Sequence, residues 1–315
     1  SGQEFDLILS GSLKVQVGEH IEVLHEGDSI YYDSSKPHGM IAVDGADCLF
    51  CAVVLPGDET EELEVRDTIV AAKQTEKLIY ENFVTPQEDD KGLVTSLSFH
   101  NTENFNFAFD IVDEMAKQKP DKLAMLHLDR FGNERRFSFR QISRDSSRAA
   151  NYFKSLGIKK GDRVMLILRR HYQFWFCILG LHKLGAIPIP ATNQLVEHDL
   201  TYRFNAAGVK CVVATGVGEV AAQIDLAMKD SPTVEHRIMV DGHREGWRNF
   251  DEEYRMFSSS FPRTEDAPGG DDPMLMLFTS GTTGYPKIAT HSYKYPLGHF
   301  VTAKYWHCVN PNGLH

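Results

Sequence analysis

Residues 274 to 291 read MLMLFTSGTTGYPKIATH. An apolar run from Met274 to Phe278 passes without a break into six residues that are only Thr, Ser and Gly. Tyr285, Pro286 and Lys287 follow. The segment PMLMLF has the composition of a strand, and 279–287 then reads as the loop leaving its carboxyl end. In open α/β sheets, ligands bind beyond the carboxyl ends of strands. Gly281 and Gly284 let the backbone bend and approach a ligand closely. Thr279, Ser280, Thr282 and Thr283 add hydroxyl donors to the backbone N–H groups, a set suited to a concave anion nest. Lys287 supplies a point charge on a flexible stem, and Pro286 fixes the backbone just before it. The common nucleotide loop, Gly-x-x-x-x-Gly-Lys-Ser/Thr, is a different pattern; here Pro286 and Ile288 flank the lysine. Composition alone leaves two readings open, a phosphate cradle and a plain Ser/Thr/Gly surface loop. His291 is expected on a helix after the loop, as a partly buried structural histidine, with a place at the edge of the site as the alternative.

Upstream of this stretch the pattern alternates helix and strand. NFNFAFDIVDEMAKQKP places Phe105, Phe109, Val112 and Ala116 on one helical face, with Pro120 beyond its end. KLAMLHL and ERRFSF flank DRFGN, a hairpin signal. RQISRDSSRAANYFKSLG and YQFWFCILGLHKLG read as helices stopped by Gly157 and Gly185. Between and after them, DRVMLIL, KCVVAT and HRIMV read as strands, with a further helix in GEVAAQIDLAMK. Strands alternating with helices predict a mostly parallel sheet covered by helices. Tyr172, Phe174, Trp175 and Phe176 fall in one apolar helix, which predicts core packing rather than a stacking platform. Arg169, Arg170 and His171 read most simply as a solvated strand end, with contact to a bound ligand as the alternative.

Residues 4–55 are different. Short runs rich in Val, Ile, Leu and aromatics, separated by turn residues, predict a small all-β sandwich or barrel. An acidic segment after Pro56 breaks the pattern and reads as a linker. Cys48 and Cys51 form a C-x-x-C on a strand-like run, where residues three apart face opposite sides; a shared metal or a bridge is not expected.

The chain has 315 residues, 42% of them hydrophobic and 24% charged, enough for one large domain or two with real cores. Its formal net charge of −11 argues against nucleic acid or an anionic membrane as main partner. No apolar stretch approaches the ~18 residues of a membrane span. The five cysteines are odd in number and scattered, which suits a reducing, cytoplasmic setting. The chain opens on Ser1 with no basic-then-apolar leader.

FTSGTTGYPK resembles the signature phosphate loop of the adenylate-forming (AMP-binding) superfamily, which includes acyl-CoA synthetases, luciferases and peptide-synthetase adenylation domains. HKLGAIPIPAT is similar to a second core motif of that family. ENFNFAFDIVDEMAKQKPDKLAML and YKYPLGHFVTAKYW are similar to its medium-chain acyl-CoA synthetase branch. The resemblance covers roughly residues 75–315. It implies an α/β fold, the N-terminal part of the family's large domain. It also implies a two-step ligation in which a short- or medium-chain carboxylic acid and Mg-ATP give acyl-AMP and pyrophosphate, and CoA then takes the acyl group. ATP, Mg2+ and CoA are the implied cofactor and co-substrates. The implied phosphate-binding set is Thr279, Ser280, Gly281, Thr282, Thr283, Gly284 and Lys287, with Lys287 the catalytic candidate among them. Lys287 is not the catalytic lysine of the family's small C-terminal domain. In the family's order that domain, the hinge, the ribose-binding Asp, the Mg2+ carboxylate and the adenine segment lie downstream. The chain by itself is therefore expected to be inactive, or at most a weak nucleotide binder.

Residues 2–55 resemble the later part of a cupin barrel. Glu4 and Gly11 match the end of the first cupin motif, and GDSIYYDSSKPH matches the second. The resemblance implies Glu4 and His38 as candidate metal ligands, half of a full set; a metal-free barrel is the alternative. Asp33 stands where the motif often has proline. The expected organisation is a partial cupin at 1–57, a linker at 58–74 and the adenylate-forming part at 75–315. An alternative from another class is a cupin-based small-ligand sensor fused to a vestigial nucleotide- or acyl-binding domain.

Overall fold

The computed structural model describes residues 2–43, 45, 47–56, 77–129, 131–280 and 284–309. Two compact units divide the chain between Lys77 and Leu78.

The first unit is all β. Strands β1 (Gly2–Ser10), β2 (Ser12–Val17), β3 (His20–His25), β4 (Ser29–Asp33), β5 (His38–Ala42) and β6 (Leu49–Pro56) form two three-stranded antiparallel sheets, ordered β4-β1-β6 and β3-β2-β5. On β2, Leu13 and Val15 point inward while Lys14 and Gln16 face water, the period-two pattern of a half-buried strand. Ile8, Leu13 and Val15 form the core, with Val17, Leu24, Ile30, Met40, Cys48 and Phe50 packed on it. Gly11 turns β1 into β2 at φ +83°, and a Cβ there would lie 2.6 Å from the Asp47 carbonyl oxygen. Cys48 packs on this core while Cys51 is exposed; both are free thiols.

The second unit opens with a 3-10 turn, Ile79–Asn82, followed by the hairpin β7 (Val84–Glu88) and β8 (Val94–Phe99). The first predicted helix is a π-helical turn, Ala108–Asp113, running into a short α1 (Glu114–Gln118). Phe109 and Val112 are buried on it, and Phe105 is buried just before it. The DRFGN hairpin joins β9 (Leu123–Leu128) to β10 (Glu134–Ser138). Next come α2 (Phe139–Ser155), β11 (Arg163–Ile167), α3 (Gln173–Leu184), β12 (Ile187–Pro190) and α4 (Glu197–Ala207). They are followed by β13 (Val209–Thr215), α5 (Val220–Ala227), β14 (His236–Val240), β15 (Arg248–Asn249) and α6 (Phe250–Glu253). Ser138 caps α2 through a capping box with Gln141.

Strands β12-β11-β13-β14-β15 form one wholly parallel sheet. Alternation along β11 feeds two cores. Val164 and Leu166 join Ala149, Tyr152 and Phe153 of α2 and Phe176 and Cys177 of α3. Met165 and Ile167 join Leu200 and Phe204 of α4 and Ile224 and Ala227 of α5. Gly180 permits the close approach of α2 and α3, since a Cβ there would lie 2.8 Å from the Ser146 carbonyl oxygen.

Three expectations are corrected. PMLMLF is a strand, β16 (Pro273–Thr279), but it pairs antiparallel with β17 (Lys287–Ser292) rather than joining the parallel sheet. His291 lies on β17, not on a helix. The helix α7 (Tyr295–Tyr305) starts only around Pro296, whose fixed φ suits a first helical turn. Trp175 is 51% exposed although Phe176 beside it is buried, because the apolar run overfills the inward face of α3.

Candidate functional site

The hairpin β16–β17 is the frame of the glycine–hydroxyl loop. Met276, Phe278 and Ile288 pack onto the core formed by α4, α5 and one face of the parallel sheet, and β16 runs beside β12. This anchors one face of the hairpin and leaves its loop end outward. Thr279 and Lys287 are direct cross-strand partners, and directly opposed side chains in an antiparallel pair project from the same face. The last hydroxyl of β16 and the lysine of β17 therefore flank the loop together. The Thr279 hydroxyl donates to the Lys287 carbonyl at 3.4 Å. Thr279, Ser280, Gly284 and Lys287 are exposed, and among the described residues no carboxylate claims the Lys287 ammonium. Gly284 adopts φ +118°, a conformation open to glycine. Gly281, Thr282 and Thr283 lie outside the described residues.

Sequence reading missed the support behind the loop. Tyr202 on α4 stacks on Tyr285, with ring centroids 4.8 Å apart and planes 24° apart. Its hydroxyl donates to the Pro286 carbonyl oxygen at 2.9 Å. Its ring also meets Phe278 edge-on at 6.4 Å, and the Arg203 guanidinium lies 5.3 Å from the Phe278 ring centroid. A tyrosine in an amphipathic helix carries no motif, so only the fold could bring it to the loop.

At the carboxyl edge of the parallel sheet, Arg169 and Arg170 are exposed as expected, but His171 is only partly exposed. Its Nε2 is 2.7 Å from the Thr215 hydroxyl. Burial pushes the imidazole below its ordinary value, against the pull of Asp241 and Asp251. Gln173 donates to Asp251 at 2.6 Å, which holds the start of α3 to α6. A cleft of about 400 Å³ lies among Asn101, Asn104, Asp110 and Arg263. None of the described residues of the 279–287 loop lines it, and Arg263 is already bound to Asp110 at 2.6 Å and to the Asn104 carbonyl.

In the first unit, His38 Nε2 is 3.9 Å from Glu4 Oε2, and His38 Nδ1 is 2.9 Å from the Lys36 carbonyl oxygen. Tyr32 lies against His38, with centroids 5.2 Å apart. Asp6 is fully buried; burial raises its carboxyl pKa, and the nearby Glu4 adds to the rise. Glu4 and His38 thus meet, but no group of three or more His, Cys, Asp or Glu is arranged to hold a metal among the described residues.

The fold is that of an α/β protein with a glycine- and hydroxyl-rich hairpin docked beside a parallel sheet, preceded by an all-β unit. The chain belongs to the AMP-binding enzyme family, whose model matches residues 112–312. A cupin domain model matches residues 1–54. Acyl-coenzyme A synthetase ACSM4, mitochondrial, of Mus musculus is 34% identical over 212 residues, which are 65% of this chain and 36% of that protein. Acyl-coenzyme A synthetase ACSM5, mitochondrial, of Rattus norvegicus is 35% identical over 210 residues, 64% of this chain and 36% of that protein. The chain thus spans about 36% of the length of these relatives. Among solved structures, the anthranilate CoA ligase AuaEII in complex with anthranoyl-AMP matches with a TM-score of 0.54 and 25% identity, covering 64% of this chain and 37% of that one. Among the described residues, no helix is long and apolar enough to cross a membrane.

Proposed function

We propose that this chain is part of an AMP-forming acid–thiol ligase that activates a short- or medium-chain carboxylic acid and passes it to CoA. The observation that carries the reading is the hairpin: Thr279 and Lys287 stand opposite each other at the mouth of a glycine–hydroxyl loop, and the lysine has no carboxylate partner among the described residues. In the first step a substrate carboxylate oxygen bonds to the α-phosphorus of ATP, the α–β bridging P–O bond breaks, and pyrophosphate leaves. Negative charge builds on that leaving group, and fixed donors placed there stabilise the transition state more than the bound substrate. Thr279, Ser280, Gly281, Thr282, Thr283, Gly284 and Lys287 form the phosphate-gripping set. Mg2+ would neutralise part of the same polyphosphate charge. In the second step the CoA thiol attacks the acyl carbonyl and AMP departs.

Residues 1–57 form a partial cupin domain, 58–74 a linker and 75–315 the adenylating part. Glu4 and His38 are the candidates for any cupin metal, and metal analysis of the dialysed protein checks them. Cysteine usage supports a reducing, cytoplasmic location. The relatives' names place those proteins in mitochondria, so imaging of a tagged complete gene product decides between the two.

The test is ATP–pyrophosphate exchange by the complete gene product with short- and medium-chain acids. Lys287→Ala is expected to lower the exchange rate by about a hundredfold while changing the apparent ATP affinity less. A wild-type rate in that variant would remove the role assigned to the loop.

A further inference from the structure

We propose that Tyr202 is a positioning residue for the adenylation step: it clamps the trailing arm of the loop, so that Lys287 is presented at a fixed point. The inference rests on the reading of the loop given above.

Four contacts reach the hairpin from α4, two on this arm and two on Phe278 of the strand entering the loop. The Tyr202 ring stacks on Tyr285, its hydroxyl donates to the Pro286 carbonyl, its edge meets Phe278 across the hairpin, and Arg203 covers the other part of Phe278. One side chain thus touches the strand entering the loop and the two residues leaving it. The stack is otherwise hard to account for as packing, because Tyr285 is 76% exposed. An exposed aromatic resting on a helix buries little apolar area, but it restricts where the next residues can go. Pro286 adds its own restriction, since its φ is fixed. The clamped residues directly precede Lys287, whose long side chain would otherwise sample many rotamers and backbone positions. A misplacement of about 1 Å in a catalytic constellation can cost on the order of a hundredfold in rate. The clamp acts on backbone geometry and does not touch ATP.

Two variants separate the hydroxyl from the ring. Tyr202→Phe loses only the bond to Pro286, whereas Tyr202→Leu loses the stack as well. Tyr285→Leu removes the other half of the stack from an exposed site, so it tests the clamp even where a change at Tyr202 compromises folding. Amide hydrogen exchange and adenylation kinetics are the readouts, both on the complete gene product.

For Tyr202→Leu and Tyr285→Leu, exchange across 284–292 is expected to rise about tenfold while β11 and α2 stay protected. In both, kcat/KM for Mg-ATP is expected to fall about tenfold with KM for the acid within about twofold of wild type. Tyr202→Phe is expected to keep at least a third of the activity. Unchanged exchange over 284–292 would overturn the clamp. So would an equal rise of exchange in β11 and α2, the mark of a general loss of fold. If Lys287→Ala is crippled but both leucine variants run at the wild-type rate, this inference alone fails. If Lys287→Ala itself runs at the wild-type rate, the reading of the loop fails first.

Discussion

His182 near the end of α3 shows how position overrides type. His182 is 6% exposed, and neither ring nitrogen reaches a hydrogen-bond partner. Burial pushes its pKa down from 6.5 to about 4. The unfolded chain therefore binds more protons than the folded one between about pH 4 and 6.5. Stability is expected to fall as pH drops through that window, by on the order of 3 kcal/mol in full. His182→Met should flatten the slope, and urea unfolding at a series of pH values measures it. At the loop, Lys287 is the opposite case, an exposed lysine whose value lies in what it can reach. The hundredfold loss expected for Lys287→Ala is a residue-scale effect, leaving overall stability within about 0.5 kcal/mol as for other surface changes.

Elements are joined by a few buried polar contacts as well as by apolar faces. Lys183 on α3 is 2% exposed and donates to Asp113 at 2.8 Å, to the Ser147 hydroxyl at 3.0 Å and to the Ser143 carbonyl at 3.2 Å. Burial lowers its pKa while Asp113 opposes the shift. This one ammonium ties α3 to α2 and to the π-helical turn. Lys183→Met is expected to cost about 3 kcal/mol by leaving Asp113 without its cation. Adding Asp113→Asn should recover part of that loss, and denaturant unfolding of the single and double variants reads the coupling. Nearby, the Asn106 side-chain amide donates to the backbone carbonyls of His182 and Pro268, and the Tyr293 hydroxyl also donates to His182. These bonds fasten α3 to the segments that lead into and out of the hairpin. The helices themselves were legible from period, cap and glycine stop. The π-helical turn was not, because widening a helix by one residue still leaves Phe109 and Val112 on its buried face.

At the scale of the whole molecule, each unit has its own apolar core, and the larger depends on one parallel sheet. Leu166 lies in the middle of β11, 1% exposed, with helices α2 and α3 packed over it. Leu166→Ala is expected to destabilise the second unit by about 2–5 kcal/mol. A loss under about 1 kcal/mol, measured by chemical denaturation, would contradict the assigned core. The amino-acid sequence by itself determined the β-rich front, the alternating α/β body, the parallel sheet and the loop as the place to look. Those features follow from local periodicity and from turn and cap chemistry, which neighbours in the chain carry. Tertiary structure alone decided that β16 turns back on β17, that His291 is on a strand and that His171 meets Thr215. It also decided that Tyr202, more than seventy residues before Phe278, grips the loop's two arms. A continuous apolar run has no period to declare its partner, and a contact between distant residues exists only once both surfaces have been folded against each other.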